Sequence, residues 1–166
     1  SCLEQFDSEL IKFIIEYKDN KTGENALLLS IANLDISQTE KILKAGANPL
    51  AKDGNNKDAL DILLEQSSDK TGQWETFRIF SLLFKNGYRP ENKKSLLTSI
   101  EKSVSGEYFS ITEKLLEPNV FSLSELNGIY KKVLESLDQE KYSSSLSNPL
   151  NTPLIKKLLS FGVDRT

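Results

Sequence analysis

The sequence predicts an all-α domain of stacked helical hairpins, and three observations predict it. Apolar residues recur at three- and four-residue steps almost throughout, as in Leu10, Phe13, Ile14 and Tyr17, in Leu60, Leu63 and Leu64, and in Phe77, Phe80, Leu83 and Phe84. That is the period of a helix with one buried face. No window shows sustained strand-type alternation between Asn-Gly or Asp-Gly turns. The periodic stretches are short and are cut by Gly, Asn and Pro at residues 20–23, 46–56, 72, 87–92, 106, 118–119 and 143–153, as pairs of short helices joined by tight turns require.

Taken in order, ELIKFIIEYKDN at residues 9–20 reads as an isolated helix at the N-terminal end. NALLLSIA at 25–32, DALDILLE at 58–65 and KSLLTSIE at 94–101 open one type of helix. TEKILKAGANP at 39–49, FSLLFKNGYRP at 80–90 and LIKKLLSFGVD at 154–164 close the other type, with an apolar pair or triple shortly before a Gly. Gly46, Gly87 and Gly162 are predicted to take positive φ as left-handed caps. Two alternating helix types at a recurring spacing make a helix-turn-helix solenoid.

These segments resemble the ankyrin repeat, whose pattern is a Gly, a Thr-Pro-Leu-His-like helix start, a second helix ending in Leu-Leu, and Gly-Ala-Asp before a β-turn finger. Gly23 and Gly46 have the family's separation of 23 residues, Leu27 and Leu29 fall on the inner helix, and Ile42 and Leu43 on the outer one. Ala45-Gly46-Ala47-Asn48 stands for Ala-Gly-Ala-Asp, and AKDGNN at residues 51–56 is similar to the opening of a finger. The resemblance implies about four repeats: a capping helix over 1–20, repeats over 21–55, 56–90 and 91–119, and a fourth over 120–166. Insertions are expected in the second, at SSDKTGQW, and in the fourth, at 138–151. Asn119 is expected to replace the Gly of the third repeat. The family's His is replaced by Leu28, Asp61 and Leu97, so less rigid fingers are expected. The implied function is binding of a partner protein by fingers and inner helices. Its residues are Lys21, Thr22 and Glu24 in the first finger, Lys52, Asp53, Asn55 and Lys57 in the second, Arg89, Glu91 and Asn92 in the third, and Asn33 and Gln66 on inner helices. The alternative is a regulatory or targeting domain that packs on the catalytic part of a larger enzyme. The Lys-, Asn-, Ser- and Ile-rich composition also looks like the ankyrin effectors that intracellular bacteria secrete, which would place the chain in a host cytosol.

Composition narrows the chemistry. The 166 residues are 38% hydrophobic and 27% charged, with 21 Lys+Arg against 24 Asp+Glu and a net charge of −3, as suits one folded domain. There is no His and one Cys, so Ser-His-Asp and Cys-His nucleophiles, His-containing zinc sites and an internal disulfide framework are absent. No enzymatic activity, metal or cofactor is expected. The acidic balance disfavours nucleic acid, which needs clustered Lys and Arg, and the doublets Lys93-Lys94, Lys131-Lys132 and Lys156-Lys157 read as solvated helix flanks. No apolar run approaches the roughly 18 residues of a membrane span, and Cys2 suits a reducing compartment. A monomer in the cytoplasm is expected. The absence of Met, a start Met included, is what a processed chain or an excised piece of a larger protein would show.

Other groups have plainer readings. Asp53-Gly-Asn55-Asn56-Lys57-Asp58 superficially looks like a calcium loop but has Leu64 where a bidentate Glu is needed, so it reads as a finger and helix start, with Asp53, Asn55 and Asp58 bonding nearby N–H groups. Glu4-Asp7 and Asp58-Asp61 are carboxylate pairs of the kind that many acids produce by chance. Trp74 is expected in the core of its helix or, failing that, as an anchor for a partner. Tyr88 and Arg89 are placed at a finger tip or in a solvated loop, and Cys2 as an inert thiol.

Overall fold

The computed structural model describes residues 10, 13–66, 72–117, 119–137 and 152–163. Cys2, the pair Glu4-Asp7 and most of both insertions lie outside the described residues. All the helices and strands among the described residues are helices. The chain divides into two compact units, Ser1–Arg89 and Pro90–Thr166. In the first, a helical turn at residues 13–16 precedes α1 (Ala26–Ala32), α2 (Ile36–Lys44), α3 (Ala59–Gln66) and α4 (Gln73–Lys85). In the second are α5 (Lys93–Ser105), α6 (Phe109–Leu115), α7 (Leu123–Leu137) and α8 (Pro153–Ser160).

Within the first unit α1 pairs with α2 and α3 with α4, while α1 lies against α3 and α2 against α4. The second unit repeats this arrangement: α5 pairs with α6 and α7 with α8, with α5 against α7 and α6 against α8. Like helices therefore stack on like, and each hairpin completes the core of its neighbour. Leu27, Leu28, Ile31, Leu60, Leu63, Ile79, Phe80 and Leu83 form the first core, and Ile100, Val104, Ile111, Leu115, Ile129, Val133, Ile155 and Leu158 the second.

The helix boundaries follow from local chemistry. Asn25, Asp35 and Asn92 accept hydrogen bonds from the N–H groups of Leu28, Gln38 and Ser95 at 3.0, 2.9 and 2.9 Å, satisfying donors that a helix start leaves orphaned. Thr152 caps α8 through Ile155 N–H, with Pro153 in its first turn. Gly46, Gly87 and Gly162 have φ of +95°, +93° and +84°, so the left-handed caps are where the sequence places them, and Asn119 at φ +65° takes the same conformation.

One hairpin geometry recurs, once within each unit. Ser30 Oγ donates to Leu27 O at 2.8 Å and lies 3.0 Å from Thr39 Oγ1, which bonds Asp35 O. Ser103 Oγ donates to Ile100 O at 2.9 Å and lies 2.8 Å from Thr112 Oγ1, which bonds Tyr108 O. Both turns pass through a non-glycine residue at positive φ, Leu34 at +52° and Glu107 at +60°. These hydroxyls are buried, where a lost partner costs more than a surface bond would. Thr39→Val and Thr112→Val are each expected to cost about 1–2 kcal/mol, measured by urea unfolding.

Two aromatic assignments are corrected. Trp74 is 64% exposed and is not core. The buried row of α4 is Thr76, Ile79, Phe80 and Leu83, and a residue two positions before Thr76 points away from it on a helix of 3.6 residues per turn. Tyr88 is fully buried and belongs to the core, not to a finger tip or solvated loop. Its hydroxyl donates to Asp58 Oδ2 at 2.9 Å, while Asp58 Oδ1 accepts Leu60 N–H and Asp61 N–H at the start of α3.

At the start of α7, Glu125 Oε2 accepts Lys93 Nζ at 2.8 Å, Ser122 N–H at 2.7 Å and Ser122 Oγ at 2.8 Å. The Lys93 bond, followed by the Ser122 N–H, lowers the Glu125 carboxyl to about 2. A carboxylate held below its unfolded value stabilises the fold above that value and loses the contribution as pH falls toward the folded one. The second unit is thus expected to lose this contribution between pH 4.5 and about 2, with the Glu125 side-chain resonance titrating near the lower figure in an NMR pH series.

Candidate functional site

The first unit carries two tight turns, at the positions expected for fingers, built on Asp19 and Asp53, each preceded by a Lys, at Lys18 and Lys52. Asp19 Oδ1 accepts the N–H groups of Lys21 and Thr22, both at 2.8 Å, and the Thr22 hydroxyl at 3.3 Å. The Thr22 and Lys21 N–H bonds, in that order, hold the Asp19 carboxyl below its ordinary value. Asp53 Oδ1 accepts Asn55 N–H at 2.9 Å and Lys57 N–H at 2.8 Å. Asp53 N–H donates to Lys57 O at 3.0 Å, closing a tight loop whose arms meet at Lys52 and Asp58. Asp53 and Asp58 thus organise backbone, as the finger-and-helix-start reading requires.

The fingers are joined through main chain. Gly54 N–H donates to Thr22 O at 2.9 Å, and Lys18 Nζ reaches Lys52 O at 3.0 Å. A Cβ on Gly23 would lie 2.4 Å from Gly54 N, and one on Gly54 would lie 2.9 Å from Thr22 O, so the two turns touch backbone to backbone. The sequence-based expectation of looser fingers rested on the missing His; a direct peptide bond-to-peptide bond contact joins these two.

Of the twelve sequence-predicted residues, the first unit brings Lys21, Thr22, Glu24, Lys52, Asp53, Asn55 and Lys57 onto this pair of turns. Lys21, Thr22 and Asn55 are exposed, and Glu24, Lys52, Asp53 and Lys57 are half-buried. Lys57 Nζ bonds Glu65 Oε2 at 2.7 Å, and this partner raises the Lys57 ammonium above its ordinary value. Asn33 and Gln66 are exposed at the C-terminal ends of α1 and α3, and Asn33 Nδ2 donates to Leu29 O at 3.0 Å. Arg89 is engaged elsewhere: its guanidinium lies 3.7 Å over the Phe84 ring and donates to Phe84 O and Tyr88 O at the end of α4. Glu91 and Asn92 belong to the second unit and are exposed; Asn92 caps α5.

Two features of this surface escape the sequence reading. The first finger begins at Lys18-Asp19, whose repetition 34 residues later as Lys52-Asp53 is the signal that locates it. Leu29 is 53% exposed on α1, one turn before Asn33, and a Leu in a periodic helix gives no warning of that. Among the described residues no three Cys, Asp or Glu side chains gather where they could hold a metal ion, and no helix is long and apolar enough to cross a membrane. Comparisons with protein-family models, with curated proteins and with solved structures find no match to the chain.

Proposed function

We propose that the chain is an ankyrin-type solenoid domain that binds a partner protein through its finger turns and inner helices. The observation that carries this reading is the pair of joined turns in the first unit: internal carboxylates and main-chain bonds order them, while Lys21, Thr22 and Asn55 stay open to solvent. Backbone that is already ordered at exposed positions lowers the entropy lost when a partner docks. The like-on-like stacking of helices and the recurring hydroxyl hairpin support the solenoid part of the reading. In this reading the domain acts as a cytoplasmic monomer without cofactor or catalysis, in the role of an adaptor or a bacterial effector.

A photo-crosslinking amino acid placed at Asn33 or Asn55, compared with one at Lys44 on the second helix type, tests it. Crosslinking of one protein from the first two positions and not from the third is expected. Equal products from all three would overturn the assignment of the binding surface.

One observation favours the second reading, a domain packed on the catalytic part of a larger enzyme. Leu10, Phe13, Ile14 and Tyr17 form an exposed apolar row at helical spacing, with Phe13 68% exposed, and such a row suits a covered face. Crosslinks from Tyr17, and none from Asn33 or Asn55, would support it.

A further inference from the structure

Asp53-Gly54, Asn86-Gly87 and Asn127-Gly128 each join an Asp or Asn to a following Gly. At such a pair the chain can attack itself. The Gly main-chain nitrogen, on losing its proton, adds to the side-chain carbonyl carbon of the residue before it, and a Gly offers no Cβ to obstruct the approach. From Asn, the new C–N bond forms as ammonia leaves. Water then opens the cyclic imide at one of its two carbonyls. The product is an aspartyl residue or an isoaspartyl residue, whose main chain runs through the former side chain. The step needs a Gly N–H that can be released, a side chain that can swing over it and a backbone that can rotate.

The fold treats the three pairs differently. Gly54 N–H donates to Thr22 O at 2.9 Å, and Asp53 Oδ1 holds the N–H groups of Asn55 and Lys57. Moving the Asp53 side chain would orphan both donors, and an ionised carboxylate is in any case a poor target for a nucleophile. Asn127 is half-buried inside α7 and Gly128 follows it there, so the Gly128 N–H belongs to the hydrogen-bond ladder of the helix. Asn86 and Gly87 are exposed at the end of α4, with Asn86 as its C-cap. Gly87 N–H reaches Phe84 O at a long 3.3 Å, and that oxygen also accepts Arg89 Nη1 at 2.9 Å. Asn86 Nδ2 donates to Leu82 O at 2.8 Å, and that oxygen also accepts Asn86 N–H at 3.0 Å. Releasing the Asn86 amide and the Gly87 N–H therefore leaves each carbonyl with another donor, and the cost of an unsatisfied acceptor does not arise.

We propose that Asn86 is a self-modification site. In the folded protein it closes an imide with the Gly87 nitrogen and opens to aspartyl and isoaspartyl products, with water as the co-reactant, while Asp53 and Asn127 are held back by their surroundings. Either product sets a carboxylate against the negative end of the α4 dipole and removes the Nδ2 donor to Leu82 O. The isoaspartyl product also adds a methylene to the main chain just before Gly87, whose φ of +93° turns the chain. Immediately beyond, Tyr88 is fixed by its N–H on Leu83 O at 2.9 Å and its hydroxyl on Asp58. The added length breaks the register between the end of α4 and this buried ring.

The 166-residue chain would be incubated at mildly alkaline pH, folded and, in parallel, in concentrated urea. Peptide mapping by mass spectrometry, with chromatographic separation of aspertyl and isoaspartyl forms, follows each site. In the folded chain Asn127 is expected to convert at least about tenfold more slowly than Asn86, because the interior of a helix opens far less often than its end. In urea the two rates should converge. Equal rates at the two sites in the folded chain, or no conversion of Asn86 until urea is added, would overturn the proposal. The Asn86→Asp variant carries the new charge without the extra methylene, so it should unfold at higher urea than the purified isoaspartyl chain. Equal midpoints would overturn the link to Tyr88.

Discussion

Gly23→Ala is expected to lower the stability of the first unit by about 3 kcal/mol, the sum of left-handed strain and a steric clash. Gly23 has φ +69°, and its added Cβ would meet Gly54 N at 2.4 Å and Gly54 Cα at 2.7 Å. Neither obstacle is a flexible side chain, so relief requires the two fingers to separate and the Gly54 N–H bond to Thr22 O to break. Gly46→Ala is the control. Its φ is +95°, but nothing lies within 4 Å of the added Cβ, so only the conformational cost remains, about 1 kcal/mol. Urea unfolding followed by the fluorescence of Trp74, the chain's single Trp and a residue of α4, reports on the first unit. Equal losses for the two variants would mean that the fingers do not touch in solution.

Asp58→Ala should cost about 2–3 kcal/mol, because one carboxylate serves two structures. Its Oδ1 caps α3 through Leu60 and Asp61, both at 2.9 Å, and its Oδ2 receives the hydroxyl of the buried Tyr88. Tyr88→Phe removes only the second bond while keeping the ring, with an expected loss of about 1 kcal/mol. The double variant should lose less than the two single losses added together. Additive losses would show that Asp58 and Tyr88 act independently.

The helices were legible in the sequence because each buries a row of Leu, Ile and Phe at helical spacing, and that spacing survives in any tertiary context. Asn25 and Asp58 were legible as helix starts for a similar reason, since a cap bonds the backbone a few residues away. Tyr88 was not. Its position after a helix-ending Gly suggests solvent, and only the approach of Asp58, 30 residues earlier, makes it core. Trp74 was misplaced because the polar stretch before it hides which residue starts the buried row of α4; Thr76, a hydroxyl residue, does. The bonds Ser30–Thr39 and Ser103–Thr112 depend on polar residues in buried rows, which hydrophobic periodicity passes over. In the candidate site, the residue types that make turns were readable, and the contact between the turns was not, since it is made by main-chain atoms.

That contact has an evolutionary corollary. A join made of peptide groups at Thr22 and Gly54 asks for small residues at two positions and places no demand on the exposed tips at Asn20, Lys21 and Asn55. Those three positions can be exchanged freely while the framework beneath them is inherited unchanged, so new specificities are reachable by single steps that keep the molecule folded. A library randomised at these three positions should therefore consist mostly of folded members.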